Sequence, residues 1–333
     1  MGLTQVASQL RDLRSAEEDE DHHEDHDHFG SVKQASEHGV RLALPRRNGR
    51  RRNGPLTWQS DSVLECVVNV SEGRDREILA RLENACGADL LDRHSDAHHH
   101  RSVFTLVGEE APRRLTRTAV ELLTMHTHVG VHPRLGVVDV VPFVPLDGST
   151  IDDARRARDE FAYWVAHDLH VPVFVYGSVD SDETQLPDIR RSAWIERRPD
   201  LGPTTPHATA GSVCVGAREV LVAYNVWLDR SVDRDTLKRI ADDVRGDGIR
   251  TLPLVLDGRP QVSMNLVEPM RVGPDVAFDR VVSSCRAHDA RVDCGELVGL
   301  LPRALVERID AQRWQRLDVS LDRTIEARLE RAR

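Results

Sequence analysis

The chain has 333 residues, a formal net charge of −10, and 40 % hydrophobic, 30 % charged and 4 % aromatic residues. This length is enough for two ordinary domains. The acidic charge and the few aromatic residues argue against nucleic-acid binding, and no apolar run reaches the length of a membrane span. Five scattered cysteines, never spaced CxxC, argue against a disulfide framework or a thiolate zinc site. With no signal-peptide pattern, we expect a cytoplasmic protein that binds neither nucleic acid nor membrane.

Residues 1–60 differ in composition from the rest of the chain. Glu17–Phe29 form an acidic, histidine-rich block and Arg46–Gly54 a basic one. Neither block has an apolar period, so neither can bury enough surface to offset the entropy lost on ordering. We predict a disordered tail, with metal binding by the histidine block as the alternative.

Regular periodicity begins at residue 61 and predicts alternating strands and helices. The predicted strands of the first half are Ser62–Val70, Gly87–Arg93, Arg101–Gly108, Leu135–Pro145 and Val171–Gly177, and the helices are Arg74–Cys86, Ala111–Met125 and Ile151–Leu169. The order β-α-β-β-α-β is that of a split, ferredoxin-like unit.

The second half repeats this order after an irregular segment, Arg197–Ser212. Its predicted strands are Arg218–Leu228, Ile249–Leu256, Arg259–Glu268 and Cys294–Pro302, and its helices are Val232–Arg245 and Asp275–Asp289. Asp257–Gly258 is a hairpin signal, and the charged segment Asp310–Arg333 is predicted to be a solvated helix. The fold class is therefore α/β (α+β), with two tandem ferredoxin-like α/β sandwich subdomains, mixed sheets and a cleft or tunnel between them.

A histidine at the entrance to a buried strand is the first candidate functional residue. His132 precedes Pro133, which restricts His132 to extended backbone geometry. An imidazole held there suits general acid–base chemistry. The alternative is a structural histidine bonded to a backbone carbonyl.

Three further segments carry polar groups in patterns that fit a ligand site. His94–Arg101, "HSDAHHHR", could bind a polar substrate, with Arg101 near an anionic group; a metal site there lacks the defined ligand set that zinc requires. Glu72 follows a predicted strand in "NVSEG", where α/β proteins place ligands, although turns use the same residues. Gly202–Gly211, "GPTTPHATAG", offers backbone amides that a ligand can approach closely, or forms an ordinary linker.

Several motifs in this order resemble the formiminotransferase domain of formiminotransferase-cyclodeaminase, that is, glutamate formimidoyltransferase. They are "LECVVNVSEG", "HPRLGVVDVVPFVP", "PDLGP" with "GSVCVGAREVLVAYNVWL", "QVSMNL" and "ELVGLLP", and the resemblance covers about residues 62–310. It implies transfer of a formimidoyl group between 5-formimidoyltetrahydrofolate and L-glutamate, in histidine degradation and one-carbon metabolism. It also implies a homodimer, subdomains at 61–218 and 219–333, and a folate tunnel between them.

The resemblance also implies roles for particular residues. The catalytic histidine of the family falls on His132. From residue chemistry, and not from the resemblance, we expect a carboxylate to orient its ring, with Asp96 and Asp139 as candidates. On the same ground Arg101, Arg134, Arg190 and Glu72 are the expected substrate-binding residues, with no metal. The residues expected to bind folate are Gly202, Pro203, Thr204, Thr205, Pro206, His207, Ala208, Thr209, Ala210 and Gly211.

Three positions depart from the family pattern. His94 replaces an aspartate, Ala210 replaces a tryptophan, and Gly295–Glu296 replace the first two residues of a "SQLVGLVP" motif. Two alternatives follow for the function: a related folate-dependent one-carbon transferase with another acceptor, and a catalytically silent folate-binding paralogue.

Overall fold

The computed structural model describes residues 63–129, 134–146, 148–177 and 183–332. The predicted disordered tail, residues 1–60, lies outside these ranges, as does His132.

Ten strands and nine α-helices make up this part of the chain. The strands are β1 (Leu64–Val70), β2 (Leu90–Asp96), β3 (Arg101–Val107), β4 (Val138–Pro145), β5 (Val173–Tyr176), β6 (Val213–Ala217), β7 (Val222–Leu228), β8 (Ile249–Leu256), β9 (Arg259–Leu266) and β10 (Val292–Val298). The helices are α1 (Arg76–Cys86), α2 (Glu110–Leu122), α3 (Ile151–Asp168), α4 (Leu186–Ser192), α5 (Arg234–Val244), α6 (Pro274–Ala287), α7 (Arg303–Glu307), α8 (Trp314–Leu317) and α9 (Ile325–Ala332).

The first sheet has six strands in the order β2-β3-β1-β4-β6-β5. Its pairs are antiparallel except β4 with β6 and β5 with β6, which are parallel. Because side chains alternate along a strand, Cys66 and Val68 of β1 pack into the core under α1, α2 and α3. Glu65, Val67 and Asn69 therefore lie on the opposite face, which positions the candidate site described below.

The second sheet has four antiparallel strands in the order β10-β7-β9-β8. Tyr224 and Val226 of β7 pack with α5 and α6 in a separate core. Asn225 and Trp227 alternate with them and lie on the other face. The predicted hairpin is confirmed: Asp257 and Gly258 connect β8 to β9 with φ of 49° and 69°, as a tight turn of mirror-image type requires.

The predicted fold class is confirmed, since the chain forms two α/β units, each with its own sheet. Strand β6 and helix α4 were not predicted, and the strand expected from Arg218 begins at Val222. β6 has only five residues and follows a Gly- and Pro-rich segment, so its apolar run is too short for periodicity to identify. It nevertheless lies between β4 and β5, because both of its edges find parallel partners.

The C-terminal prediction was wrong. Instead of one solvated helix, residues 310–332 form short helical segments that pack against both units. Leu317 and Val319 are buried in the second core. Ile325 of α9 packs with Leu91 and Val107 of the first sheet. These apolar positions are few and lie among charged residues, so the sequence pattern did not identify them as buried.

The two units meet at the face of the first sheet that carries no α1–α3 layer. His98, in the turn between β2 and β3, lies 3.1 Å from the carboxylate of Asp257 on the β8–β9 turn. Arg328 of α9 lies 3.7 Å from Asp92 of β2. Across the residues described, no helix is long and apolar enough to cross a membrane.

Candidate active site

A β-bulge in β4 places a carboxylate on the face of the first sheet opposite α1, α2 and α3. Asn69 pairs with Val140 and Val70 with Val138, so Asp139 is the extra residue of the bulge. A bulge breaks the alternation of side chains and redirects one of them. Val140 keeps the regular register opposite Asn69 and packs with Ile189 of α4. Asp139, redirected by the bulge, binds Arg190, the next residue of that helix.

Asp139 is fully buried and is bound on three sides. Its Oδ2 accepts hydrogen bonds from Arg101 Nη1 at 2.7 Å and Arg190 Nη2 at 2.8 Å, and its Oδ1 accepts one from the Leu135 N–H at 2.8 Å. Burial alone raises the pKa of this carboxyl, but the two guanidinium groups and the backbone bond outweigh that effect and hold the pKa well below its usual range. Asp139 is therefore ionised at neutral pH.

Arg134 adds a third guanidinium group to this cluster. It donates to the carbonyls of His99 and His100 at 2.8 and 3.1 Å, so it is held by neutral acceptors of the β2–β3 turn. Burial and the neighbouring Arg101 lower the pKa of Arg134 to about 10, so it stays charged at neutral pH. Three guanidinium groups thus lie around the buried carboxylate of Asp139, and guanidinium groups suit a carboxylate ligand.

Asn69 joins the cluster to β1. Its Oδ1 accepts from Arg101 Nε at 3.1 Å, which aligns the guanidinium along the sheet toward Asp139. The three arginines predicted from the sequence to bind substrate are thus brought together, and Asn69 is a member that the sequence did not single out.

Glu72 serves the turn that leads into α1. Its Oε1 accepts from the backbone N–H groups of Arg74 and Asp75 at 2.7 and 2.9 Å and lies 3.5 Å from His100 Nδ1. At the next residue, Gly73, a Cβ would lie 2.2 Å from the carbonyl oxygen of Asp96. The turn after β1 and the turn between β2 and β3 are therefore in backbone-to-backbone contact. These contacts fix the end of β1 against the start of β3.

Asp96 organises the turn between β2 and β3. Its Oδ1 accepts from the N–H groups of His98 and His99 at 2.7 and 2.8 Å, and its Oδ2 lies 3.2 Å from His99 Nδ1. Although burial raises the pKa of Asp96, these bonds lower it overall to well below its ordinary value. This turn also contains the carbonyls of His99 and His100, which bind Arg134.

Two further histidines lie beside the arginines. The rings of His100 and His128 are 4.2 Å apart, and His100 Nδ1 accepts from the Gly73 N–H at 3.2 Å. Burial and the adjacent Arg134 lower the pKa of His128 to about 3, and burial also lowers the pKa of His100. Both rings are therefore neutral at pH 7. Within the described ranges, no group of three or more His, Cys, Asp or Glu side chains is arranged to hold a metal ion.

The segment Gly202–Gly211 ends against the start of β4. The Thr209 carbonyl accepts from the Met125 N–H at 2.8 Å, and the Ala210 carbonyl accepts from the Val137 N–H at 3.0 Å. Met125 and Val137 flank the chain segment to which His132 belongs. The loop therefore lies beside both ends of that segment, although residues 130–133 are outside the described ranges.

Side chains within this loop also stabilise its shape. His207 Nδ1 accepts from the N–H groups of Thr209 and Ala210 at 3.3 and 3.0 Å. Gly211, with a φ of 73°, bridges to Gly136, and a Cβ on Gly136 would lie 2.1 Å from the Ser212 carbonyl oxygen. The end of the loop thus packs backbone to backbone against the residues that lead into β4.

The second sheet presents a carboxylate to the same face of the first sheet. Glu296 Oε2 accepts from Asn225 Nδ2, Trp227 Nε1 and Gln261 Nε2 at 3.1, 3.0 and 3.1 Å. Its Oε1 lies 3.9 Å from His94 Nε2. From the sequence, Glu296 was only a departure from the family pattern, and His94 was both a departure and part of the candidate segment His94–Arg101; their proximity depends on the packing of the two units.

Comparison with known proteins identifies the family. The family model of the formiminotransferase domain, N-terminal subdomain, matches residues 63–218. The chain is 33 % identical to glutamate formimidoyltransferase of Streptococcus pyogenes serotype M1 over 74 % of this chain and 91 % of that protein. It is 32 % identical to glutamate formimidoyltransferase of Thermoplasma acidophilum over 74 % and 90 %.

The chain also matches a longer protein. It is 31 % identical to formimidoyltransferase-cyclodeaminase of Sus scrofa over 74 % of this chain, and spans about half of that protein, 51 %. The resemblance found in the sequence motifs is confirmed, and the chain belongs to the family of the glutamate formimidoyltransferases, which are transferases.

Proposed function

We propose that this chain transfers a formimidoyl group between 5-formimidoyltetrahydrofolate and L-glutamate. The relatives named above support this activity. The observation that carries it is the buried cluster of Arg101, Arg134 and Arg190 around Asp139, beside the loop 202–211.

The arginine cluster suits an amino-acid substrate with more than one carboxylate. Guanidinium groups bind carboxylates through paired N–H donors. Arg101 and Arg190 are held in place by Asp139, and Arg134 by backbone carbonyls. Because these bonds exist before a substrate arrives, little side-chain entropy is lost when a carboxylate binds.

The reaction also needs one proton to be moved. As the receiving nitrogen bonds to the formimidoyl carbon, it gives up a proton, and the departing nitrogen gains one as its bond to that carbon breaks. A single group that titrates near neutrality can accept the first proton and donate the second. We assign this role to His132, with Asp96 assisting it and Asp139 as the alternative carboxylate.

The loop Gly202–Gly211 is the proposed folate-binding segment. Its bonds to Met125 and Val137, which flank residues 130–133 in the chain, support this assignment. Glu72 is proposed to contribute to the substrate site through His100. A homodimer, a cytoplasmic location and a role in histidine degradation stay predictions from the sequence and the family.

The deciding experiment is a steady-state assay with purified protein, tetrahydrofolate and N-formimidoyl-L-glutamate. We expect consumption of the amino acid that depends on tetrahydrofolate and saturates in both substrates. Saturable tetrahydrofolate binding without turnover would overturn the proposal in favour of a silent folate-binding protein. Turnover confined to other donors, in a panel of N-formyl and N-formimidoyl amino acids, would identify a different one-carbon transferase.

A further inference from the structure

A groove at the end of the first sheet farthest from the arginine cluster takes no part in the proposed reaction. Its volume is about 600 Å³, which is within the range of protein binding sites. Val63, directly before β1, Leu146, directly after β4, and residues of α9 line it. Asn69 of the arginine cluster lies near the other end of β1, about 20 Å from Val63 at the rise of a strand. The groove is therefore distinct from the candidate active site.

The apolar part of the groove is the uncovered side of a small core between α9 and the first sheet. Val63, Leu146 and Leu329 pack against this core but are only partly buried, and all three line the groove. The core itself consists of Leu91, Val107, Leu300 and Ile325. Apolar side chains that share one concave and partly exposed surface favour an apolar occupant.

The charged side chains that line the groove are acidic. Among the described residues, no Lys, Arg or His lines it, whereas four carboxylates do, those of Asp89, Glu219, Glu326 and Glu330. Two of them are paired from outside the lining, Asp89 with Arg114 and Glu330 with Arg303. Glu219, in the connection between β6 and β7, is exposed. An occupant that combines apolar side chains with cationic groups is complementary to this lining.

The chain contains such a segment directly before the groove. Residues 55–58, "PLTW", include Leu56 and Trp58, which are the large apolar residues between positions 46 and 62. They follow a basic block with arginines at positions 46, 47, 50, 51 and 52. The prediction of a disordered tail depends on the two charged blocks, and residues 55–58 belong to neither block.

The connection to Val63 is short enough to favour this segment over other occupants. An extended chain spans at most about 3.6 Å per residue, so Trp58 lies within about 18 Å of Val63. Helix α9 has eight residues and is therefore about 12 Å long, which is within that reach. A tether of this length gives a segment an effective concentration of about millimolar at its site. A second copy of the chain would have to compete with that concentration.

We propose that residues 55–58 of this chain dock in the groove, with Leu56 and Trp58 against Val63, Leu146 and Leu329. The arginines of the basic block then lie near the carboxylates of the lining. The docked segment holds α9 against the first sheet, and α9 is one of the elements that join the two units. This inference is independent of the proposed transferase activity.

The first test is photo-cross-linking in the full chain, with p-benzoylphenylalanine in place of Trp58. After irradiation and digestion, mass spectrometry should find the cross-links on α9 or next to Leu146. The same amino acid in place of Leu42, an apolar residue on the other side of the basic block, is the matched control and should give no cross-link to the groove. A mixture of isotope-labelled and unlabelled protein identifies the chain that is reached, and we expect cross-links within one chain.

A charge reversal tests the role of the carboxylates. Glu219→Arg should lower the yield of the cross-link from position 58 by about twofold to fivefold at low ionic strength, as expected for exposed charge pairs, and much less at high salt. Glu121→Arg is the control, because Glu121 is exposed on α2 and does not line the groove. It should leave the yield unchanged.

Hydrogen exchange measures the effect of docking on α9. The double substitution Leu56→Ser with Trp58→Ser removes the apolar contacts, so the amides of α9 should exchange about tenfold faster or more. Leu42→Ser with Leu44→Ser changes two apolar residues of the same tail and should have no effect. The proposal is overturned if the cross-links fall on other surfaces or between chains. It is also overturned if α9 exchanges alike in the wild type and the Leu56 and Trp58 variant, or if both double variants accelerate exchange equally.

Discussion

Asp139 and Arg190 are 51 positions apart in the chain, yet their side chains form a 2.8 Å hydrogen bond inside the protein. The contact exists because a bulge in β4 turns Asp139 toward α4. Arg101 reaches the same carboxylate oxygen from β3. Three elements of the first unit are thereby tied to one buried charge.

Asp139→Asn should therefore destabilise the protein and disable the site. Removing one partner of a buried ion pair leaves the other charge uncompensated and costs about 3–5 kcal/mol. Urea unfolding measures this loss, and turnover should fall as well, because Arg101 and Arg190 lose the acceptor that positions them. Asp188→Asn, in the exposed pair with Arg191 on the same helix, should change the free energy of unfolding by about 0–1 kcal/mol. Equal effects of the two substitutions would refute this role for Asp139.

Glu65 makes the free energy of unfolding fall as the pH rises. A carboxylate in an ordinary ion pair has the opposite effect. Burial, opposed by Arg218, raises the pKa of Glu65 from 4.5 to about 7. Between these values the folded state keeps a proton that the unfolded state has lost, so the free energy of unfolding falls as the pH rises.

Glu65→Gln removes this dependence. Relative to the wild type, the variant should gain up to about 3 kcal/mol of stability between pH 5 and pH 8. Urea unfolding at several pH values measures the difference. Curves that stay parallel over this range would show that Glu65 is ionised in the folded protein.

Gly136→Ala should separate the loop 202–211 from β4. The added Cβ would lie 2.1 Å from the Ser212 carbonyl oxygen, and backbone atoms can avoid it only if the loop moves. We expect a loss of about 1–3 kcal/mol in stability, as in overpacking, together with a higher KM for tetrahydrofolate.

Gly216→Ala is the control for that experiment. Its Cβ would lie 2.1 Å from Cζ of Tyr176, so the clash is equally short, but it is with a buried side chain of β5 and not with the backbone next to the loop. Stability should fall while KM for tetrahydrofolate stays unchanged. If both variants raise KM to the same extent, the loop has no special part in folate binding.

His132→Ala should lower kcat by about two to four orders of magnitude, the usual contribution of a general acid–base group. KM for either substrate should change much less, because carboxylate binding is assigned to the arginines. His126→Ala, which removes an exposed ring six residues earlier, is the matched control and should keep wild-type turnover. Turnover retained by His132→Ala would remove His132 from the mechanism.

Much of the architecture could be predicted from periodicity alone. The apolar alternation of β1 and the helical spacing in α1, α2 and α3 identify those elements, because each has a buried face long enough to repeat its pattern. The Asp257–Gly258 turn could also be predicted from the sequence, since its geometry is local. Helix α4 and strand β6 could not be predicted, because both are short and obtain their stability from neighbours distant in the chain.

The candidate site divides in the same way. The sequence by itself determined which residue types are available: arginines at 101, 134 and 190, a glycine-bounded loop, and a family pattern that names the chemistry. Only the tertiary structure decided that Asp139 faces the arginines and that Glu296 faces His94. The first depends on one extra residue in a strand pairing and the second on how two separately folded sheets dock. Neither is encoded in local spacing, because both arise from contacts between segments that meet only after folding.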